Sequence, residues 1–348
     1  MKIRRILSLA LVFVVINCII TFNVTADNSR DNFGDFEDYT RSTLGDMLLL
    51  DGFQTGDSYK LSNAFTVYNF DTNTIVDNQK VYFVINDSNV VGIYSFYEID
   101  DTFTCNYTPI LLNHIDNISD LNMPIVVGYR KDILYILSEN EVIYNSVDDY
   151  ITFKWQTFNL THCEFATVRP NYEFIIQSLK TRATVYNKQL DVKIVSNTTS
   201  PKSGKGVCWA ACVAMKVNYT KSKNLSALTV YYDMYNKYHT EPYGNMDWYK
   251  KAYPYYGITA KYISGGIGSG DVSTAINNNK PIQIVLSRSG AAHAVIISGI
   301  TIYSDHAVYT ICDPNKTGCV YQYVSYGAMS DPSQFYYGNY TNWTKAVY

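Results

Sequence analysis

Residues 204–219 read Gly-Lys-Gly-Val-Cys-Trp-Ala-Ala-Cys-Val-Ala-Met-Lys-Val-Asn-Tyr. A polar loop broken by glycine gives way at Cys208 to an apolar run without a breaker, so the spacing predicts a helix that starts at the cysteine. Such a placement activates a thiol. The N–H groups of a first helical turn lack partners and carry partial positive charge, which favours a thiolate over a thiol. Cys208 is therefore the candidate nucleophile, and the rest of the chain is read for groups able to serve it.

The chain opens Met-Lys-Ile-Arg-Arg, runs apolar over residues 6–22 and closes that run with Val24-Thr25-Ala26. A basic start, an apolar stretch and small residues read as a secretory signal peptide, residues 1–26, cleaved after Ala26. The competing reading is an N-terminal anchor, because 6–22 is near the short limit for a spanning helix. Cys18 goes with the discarded segment. The expected protein is secreted or cell-surface associated, with no membrane segment after cleavage. The formal net charge is −3 and no Lys/Arg block stands out, which gives nucleic acid and anionic membrane no support as partners. With 33 tyrosines and 47 % hydrophobic residues, the chain has ample material for packed cores.

Cys105 and Cys163 are isolated, Cys208 and Cys212 share one helical face, and Cys312 and Cys319 bracket residues 313–318. No regular disulfide framework follows from these spacings, although hairpin geometry allows a Cys312–Cys319 bridge. No His pair accompanies a Cys pair, so no metal or other cofactor is expected.

From about residue 59 the texture is β-like. Residues 80–85 and 90–97 are β-branched and aromatic and flank the turn-prone 86–89, while 125–129 and 133–137 repeat the pattern around Arg130-Lys-Asp132. Residues 150–155 and 173–176 are further strand candidates. His114 and His162 are lone histidines in polar turns, read as surface residues. Residues 27–185 thus form a β-rich accessory domain without a nucleophile–base pair or a phosphate loop.

The texture changes near residues 181–191. A short strand at 190–195 and a Ser/Thr/Gly/Pro loop at 197–206 lead into the Cys208 helix. Helices near 226–238, 245–253 and 271–279 follow; the glycine-rich 264–270 lacks the Lys-Ser/Thr of a phosphate loop and reads as a flexible connection. Strands at 281–286, 293–300, 307–312 and 319–324 complete residues 186–348. Helices first and an antiparallel sheet afterwards make an α+β domain.

His293 heads an apolar strand behind the small residues Gly290-Ala-Ala292, and Asp313 ends another strand before Pro314. An imidazole at a strand mouth can serve as base to Cys208, and a carboxylate can fix its tautomer from the far side. Each residue alone has an ordinary explanation: a buried small cysteine, a core histidine, an Asp-Pro turn. Their order on one exported chain favours catalysis.

Cys208-Trp-Ala-Ala-Cys-Val-Ala-Met215 resembles the active-site segment of papain-like cysteine peptidases, and looks most similar to the compact bacterial C39-like and AvrRpt2-like types. Ala292-His-Ala-Val-Ile-Ile-Ser-Gly299 looks like their His strand, and Ile311-Cys-Asp-Pro314 like their third triad segment. The resemblance covers about residues 186–330. It implies a papain-like C-terminal domain that cleaves peptide or protein substrates through Cys208, His293 and Asp313. One departure stands out: the family usually carries a Gln a few residues before the nucleophile, whose amide holds the oxyanion, and here the sixth residue upstream is Lys202. Asn197 has the right chemistry at a looser spacing. The segment 82–97 faintly resembles β-rich prosegments, which implies a precursor whose residues 27–185 aid folding and inhibit the enzyme until removed.

The leading expectation is an exported cysteine peptidase. A cell-wall amidase or acyl transferase would use the same triad, but no wall-binding repeat is present. An adhesion or interaction protein with an inactive thiol-peptidase half is the reading from a different class, and the missing Gln is its support.

Overall fold

In a computed structural model of the chain, the β-branched and aromatic runs of the first half form strands. The structure describes residues 36–87, 89–99, 102–109, 123–130, 133–138, 141–145, 158–176, 184–200, 202–288, 291–316, 318–338 and 340–348. The signal-peptide reading, His114 and the strand expected at 150–155 lie outside them. The chain divides into Met1–Thr40 and Arg41–Tyr348. Helix α1 (Phe36–Leu50) begins in the first unit and continues into the second.

Ten strands follow α1: β1 (Ser58–Ser62), β2 (Phe65–Asn69), β3 (Thr74–Asn86), β4 (Asn89–Ile99), β5 (Thr102–Pro109), β6 (Pro124–Arg130), β7 (Ile133–Ser138), β8 (Glu141–Asn145), β9 (Ala166–Thr167) and β10 (Pro170–Ile175). The two hairpins legible in the sequence are β3–β4 and β6–β7, with Val81 opposite Ser95 and Val127 opposite Ile136. β2 lies antiparallel to β3 and parallel to β6, so the two meanders share an apolar centre. Alternation along the strands sends Val81, Phe83, Val127 and Ile136 into that core.

The second half carries β11 (Tyr186–Gln189), α2 (Cys208–Lys221), α3 (Ala227–Tyr238), α4 (Met246–Tyr255), β12 (Tyr262–Ser264), α5 (Ser269–Asn277), β13 (Ile282–Arg288), β14 (Ala291–Ile302), β15 (His306–Cys312), β16 (Val320–Ser325), α6 (Tyr326–Ser330) and β17 (Asn342–Val347). Antiparallel pairing gives the order β16–β15–β14–β13–β17–β12. Helix α2 is buried on every face from Trp209 through Val217, all apolar but Lys216, as expected of a helix set inside a core. Ser226 caps α3 through the Thr229 N–H, and Asn245 caps α4 through the Trp248 N–H.

The strand expected at 190–195 is displaced. β11 pairs with residues 299–302 of β14, and β13 already occupies the same edge of β14 over 291–297. Residues 190–195 therefore have no free edge to join and turn away, with the Val192 N–H bonded to Leu190 O at 2.8 Å.

β5 and β16 join the two halves. Tyr321 lies opposite Tyr107 and Gln322 opposite Asn106, the two tyrosine rings stack at 6.2 Å, and Gln322 Nε2 donates to Cys105 O at 3.1 Å. One hydrogen-bonded ladder thus crosses the change of texture seen in the sequence. Among the described residues no helix is long and apolar enough to cross a membrane.

Candidate active site

α2 begins at Cys208 because the chain enters it from a glycine-flanked hairpin. Thr199 and Gly206 form an isolated bridge, and the Val207 N–H bonds Thr198 O at 2.9 Å. The N-cap is Val207 and no side chain caps the helix, so the first-turn N–H groups remain directed at whatever lies before Cys208. The thiol is half-buried in a cavity of about 190 Å³ that Trp209, Tyr249, Val285, Ala292 and Glu241 help to line. Gly244 makes the wall possible: a Cβ there would stand 3.0 Å from that of Trp209.

β14 carries His293 to the same cavity, opposite Leu286 of β13. The imidazole is buried and stacks on Tyr340 at 5.7 Å. Its Nε2 lies 2.7 Å from Asp313 Oδ1, and the ring lines the same cavity as Cys208. With Nε2 taken by the carboxylate, Nδ1 is the nitrogen left for sulfur. Asp313, 3 % exposed, follows β15 and is held at three points. Oδ1 also accepts the Asn315 N–H at 2.8 Å, and Oδ2 accepts the Tyr337 hydroxyl at 2.7 Å.

Burial opposes charge on both partners, and pairing overcomes it. Desolvation alone would lift the Asp313 carboxyl, yet the neighbouring His293, Lys316 and the Asn315 N–H bring it down to about 2. Desolvation likewise lowers His293, but the Asp313 charge and hydrogen bond, with Cys208, carry it well above the ordinary histidine range. The structure therefore sets Cys208 and His293 in the lining of one cavity and hydrogen-bonds His293 to Asp313.

Asn197 stands nearby for a reason hidden in the sequence. Residues 199–206 fold back on themselves, so Asn197 ends beside Gly206, where an added Cβ would come within 3.3 Å of its Nδ2. That nitrogen donates to Asn315 Oδ1 at 2.9 Å, and the Asn197 N–H bonds Pro314 O at 2.7 Å. Asn197 is not among the residues lining the Cys208 cavity.

Cys212 lies buried one turn below Cys208, and burial pushes its thiol well up. Cys312 and Cys319 are free thiols with their sulfurs 3.6 Å apart. Among the described residues no three His, Cys, Asp or Glu side chains are grouped to hold a metal. Two features had no signal in the sequence. Tyr337 and Tyr340, which hold Asp313 and cover His293, are two of 33 tyrosines. Glu241, which accepts hydroxyls from Ser200 and Tyr231, ties the loop before Cys208 to α3.

No curated protein matches the chain. Residues 186–325, the segment that contains Cys208, His293 and Asp313, match the family model of the papain-like cysteine protease AvrRpt2.

Proposed function

We propose that this chain is an exported cysteine peptidase, made as a precursor, that hydrolyses peptide bonds with Cys208 as nucleophile, His293 as general base and acid, and Asp313 as the group that orients His293. The observation that carries the proposal is His293 itself, buried, lining one cavity with the Cys208 thiol and hydrogen-bonded to the Asp313 carboxylate. Sulfur passes its proton to His293 and attacks the carbonyl carbon. His293 then gives the proton to the departing amine, and water, activated by the same imidazole, releases the acid from the thioester. The Tyr337 hydroxyl and the Asn315 N–H hold Asp313 in place throughout.

The developing oxyanion needs donors near sulfur. The Cys208 backbone N–H supplies one, and Asn197 is proposed as the second, using the amide proton not spent on Asn315. The uncapped start of α2 supports the Cys208 N–H as the first donor, and the second Nδ2 proton of Asn197, beyond the one given to Asn315, supports Asn197 as the other.

An iodoacetamide or E-64-type probe at neutral pH tests the reading. Selective labelling of Cys208 is expected, slowed about 100-fold or more in His293→Ala. A Cys208 that reacts no faster than free cysteine would sink the proposal. Asn197→Ala separates the two roles: peptide turnover should fall by about 10²–10³ while iodoacetamide labelling, which forms no oxyanion, stays within about twofold. N-terminal sequencing of the exported protein checks cleavage after Ala26.

A further inference from the structure

Two neighbouring thiols take no part in the proposed reaction. Ile311 of β15 pairs with Val320 of β16, so Cys312 and Cys319 face each other one rung further out. Opposed residues of antiparallel strands have Cα atoms about 4.5–5.5 Å apart, inside the roughly 4.4–6.8 Å that a disulfide spans. The two sulfurs lie 3.6 Å apart. A shift of about 1.5 Å brings them to bonding distance.

The two thiols differ in a way that gives oxidation an order. Cys312 is fully buried, and its sulfur has Ser298 Oγ at 3.3 Å and Val192 O at 3.6 Å beside it as well as Cys319. Cys319 is half-buried, so of the two it is the one that a disulfide from outside can reach. The hydrogen bond from Cys312 lowers the Cys319 thiol, and the same bond, with burial, holds Cys312 up. Removing the Cys312 proton strands nothing on Ser298, whose hydroxyl donates to Thr310 O at 3.3 Å.

Between the two cysteines lies the loop on which the candidate site rests. Asp313 meets His293, the Asn315 N–H bonds Asp313 Oδ1 at 2.8 Å, and the Lys316 N–H bonds Asp313 O at 3.0 Å. Pro314 O and Asn315 Oδ1 both accept from Asn197. A covalent link across 312–319 would close this loop at its base.

We propose that Cys312 and Cys319 are a thiol–disulfide couple, oxidised by a small disulfide of the glutathione class, whose bridge clamps the loop that carries Asp313. The Cys319 thiolate attacks one sulfur of the oxidant, and the first small thiol leaves with the proton that Cys319 has lost. The Cys312 sulfur then attacks Cys319, and its own proton goes to the second departing thiol. Two protein thiols become one disulfide while one small disulfide becomes two thiols, so atoms and electrons balance. Cys208 has no part in these steps, and the couple stands whether or not Cys208 is catalytic.

The test uses the full chain carrying Cys208→Ala, equilibrated with about 10 mM oxidised glutathione, then denatured, alkylated and mapped by mass. A peptide linking Cys312 to Cys319 is expected, lighter by two hydrogens and free of glutathione. The melting temperature should rise by about 5 °C on bridging, and exchange of the Asn315 and Lys316 amides should slow at least about fivefold. Cys319→Ser in the same background should lose both effects of the oxidant. Four results would each overturn the proposal: both cysteines still alkylated after oxidation, glutathione left on Cys319 in place of the bridge, loop amides that exchange at the same rate once bridged, or an undiminished rise in melting temperature in Cys319→Ser.

Discussion

Burial alone would leave Asp313 protonated and His293 neutral, and each is kept charged by the other. The consequences for pH have opposite signs. Asp313 is held down, to about 2, so its contribution to stability is present above the ordinary aspartate value of 3.8 and is lost as pH falls through about 2. His293 is held up, so its contribution is complete below the ordinary 6.5 and is lost only as pH rises through the raised folded value. Asp313→Asn removes the charge that holds the imidazole up. The basic limb of the pH profile for peptide turnover should then move to lower pH by about one unit or more. An unmoved limb would assign that limb to another group. Lys216, two turns along α2 from Cys208, is a separate case. It is buried, donates to Val347 O at 3.0 Å, lies 5.1 Å from the Tyr253 ring, and burial lowers it to about 7. The unfolded chain binds this proton up to about pH 10 and the folded chain only up to about 7, so stability rises with pH across that window. Lys216→Met should stabilise the protein at pH 7 by about 1–4 kcal/mol, read from urea unfolding, and flatten that rise.

Helix α1 was not legible, and the reason lies in how it is held. Its sequence is mixed, and what fixes Asp46 is a distant histidine. Asp46 Oδ2 stands 3.0 Å from His306 Nε2, an ion-pair distance off the line of a hydrogen bond, while His306 Nδ1 meets Asp305 at 2.8 Å. The ring is stacked between Tyr303 at 4.5 Å and Tyr323 at 5.2 Å. Burial lowers His306, but the two carboxylates raise it above the ordinary value. This tie between α1 and β15 is therefore at full strength below about pH 6.5 and weakens as pH rises through the raised value. Asp46→Asn should cost up to about 3 kcal/mol in urea unfolding at pH 6, since half-exposed Asp305 still faces the ring, and less at high pH. A cost independent of pH would mean that shape, not charge, holds the helix. Other elements were read correctly where the signal was local. β3, β4, β6 and β7 carry β-branched and aromatic runs around turn residues, and α2, α3 and α4 have clear starts. β5 and β17 have no such run: Thr104, Asn106 and Thr108 of β5 are polar yet buried, because neighbouring strands cover them. Asn197 was chosen on its chemistry alone, and its place beside Gly206 was not legible, because the bridge between Thr199 and Gly206 is a contact that spacing does not encode.

The ladder through β5 and β16 limits what processing can do to the whole protein. A prosegment that leaves must strip β5 from β16, breaking the bonds from Gln322 to Cys105 and Thr104 and the stack of Tyr107 on Tyr321. It would also bare a strand edge, which invites aggregation. It would open the wall of a second cavity, beside Asp313, as well, because Gln79, Tyr97, Asn106 and Tyr129 come from that half. The Cys208 cavity, by contrast, is lined by residues 200–294 alone, so no described residue of the β-rich half sits in it. If the precursor is cut between β10 and β11, the two pieces should therefore remain together. Limited proteolysis followed by native size-exclusion chromatography should show one species of unchanged size that separates only in denaturant. A fragment of residues 186–348 expressed alone should unfold at least about 5–10 °C below the nicked pair and label more slowly at Cys208. Release of a soluble 186–348 fragment that labels faster than the intact chain would instead establish the β-rich half as a detachable inhibitor, and the ladder as a contact the protein is built to break.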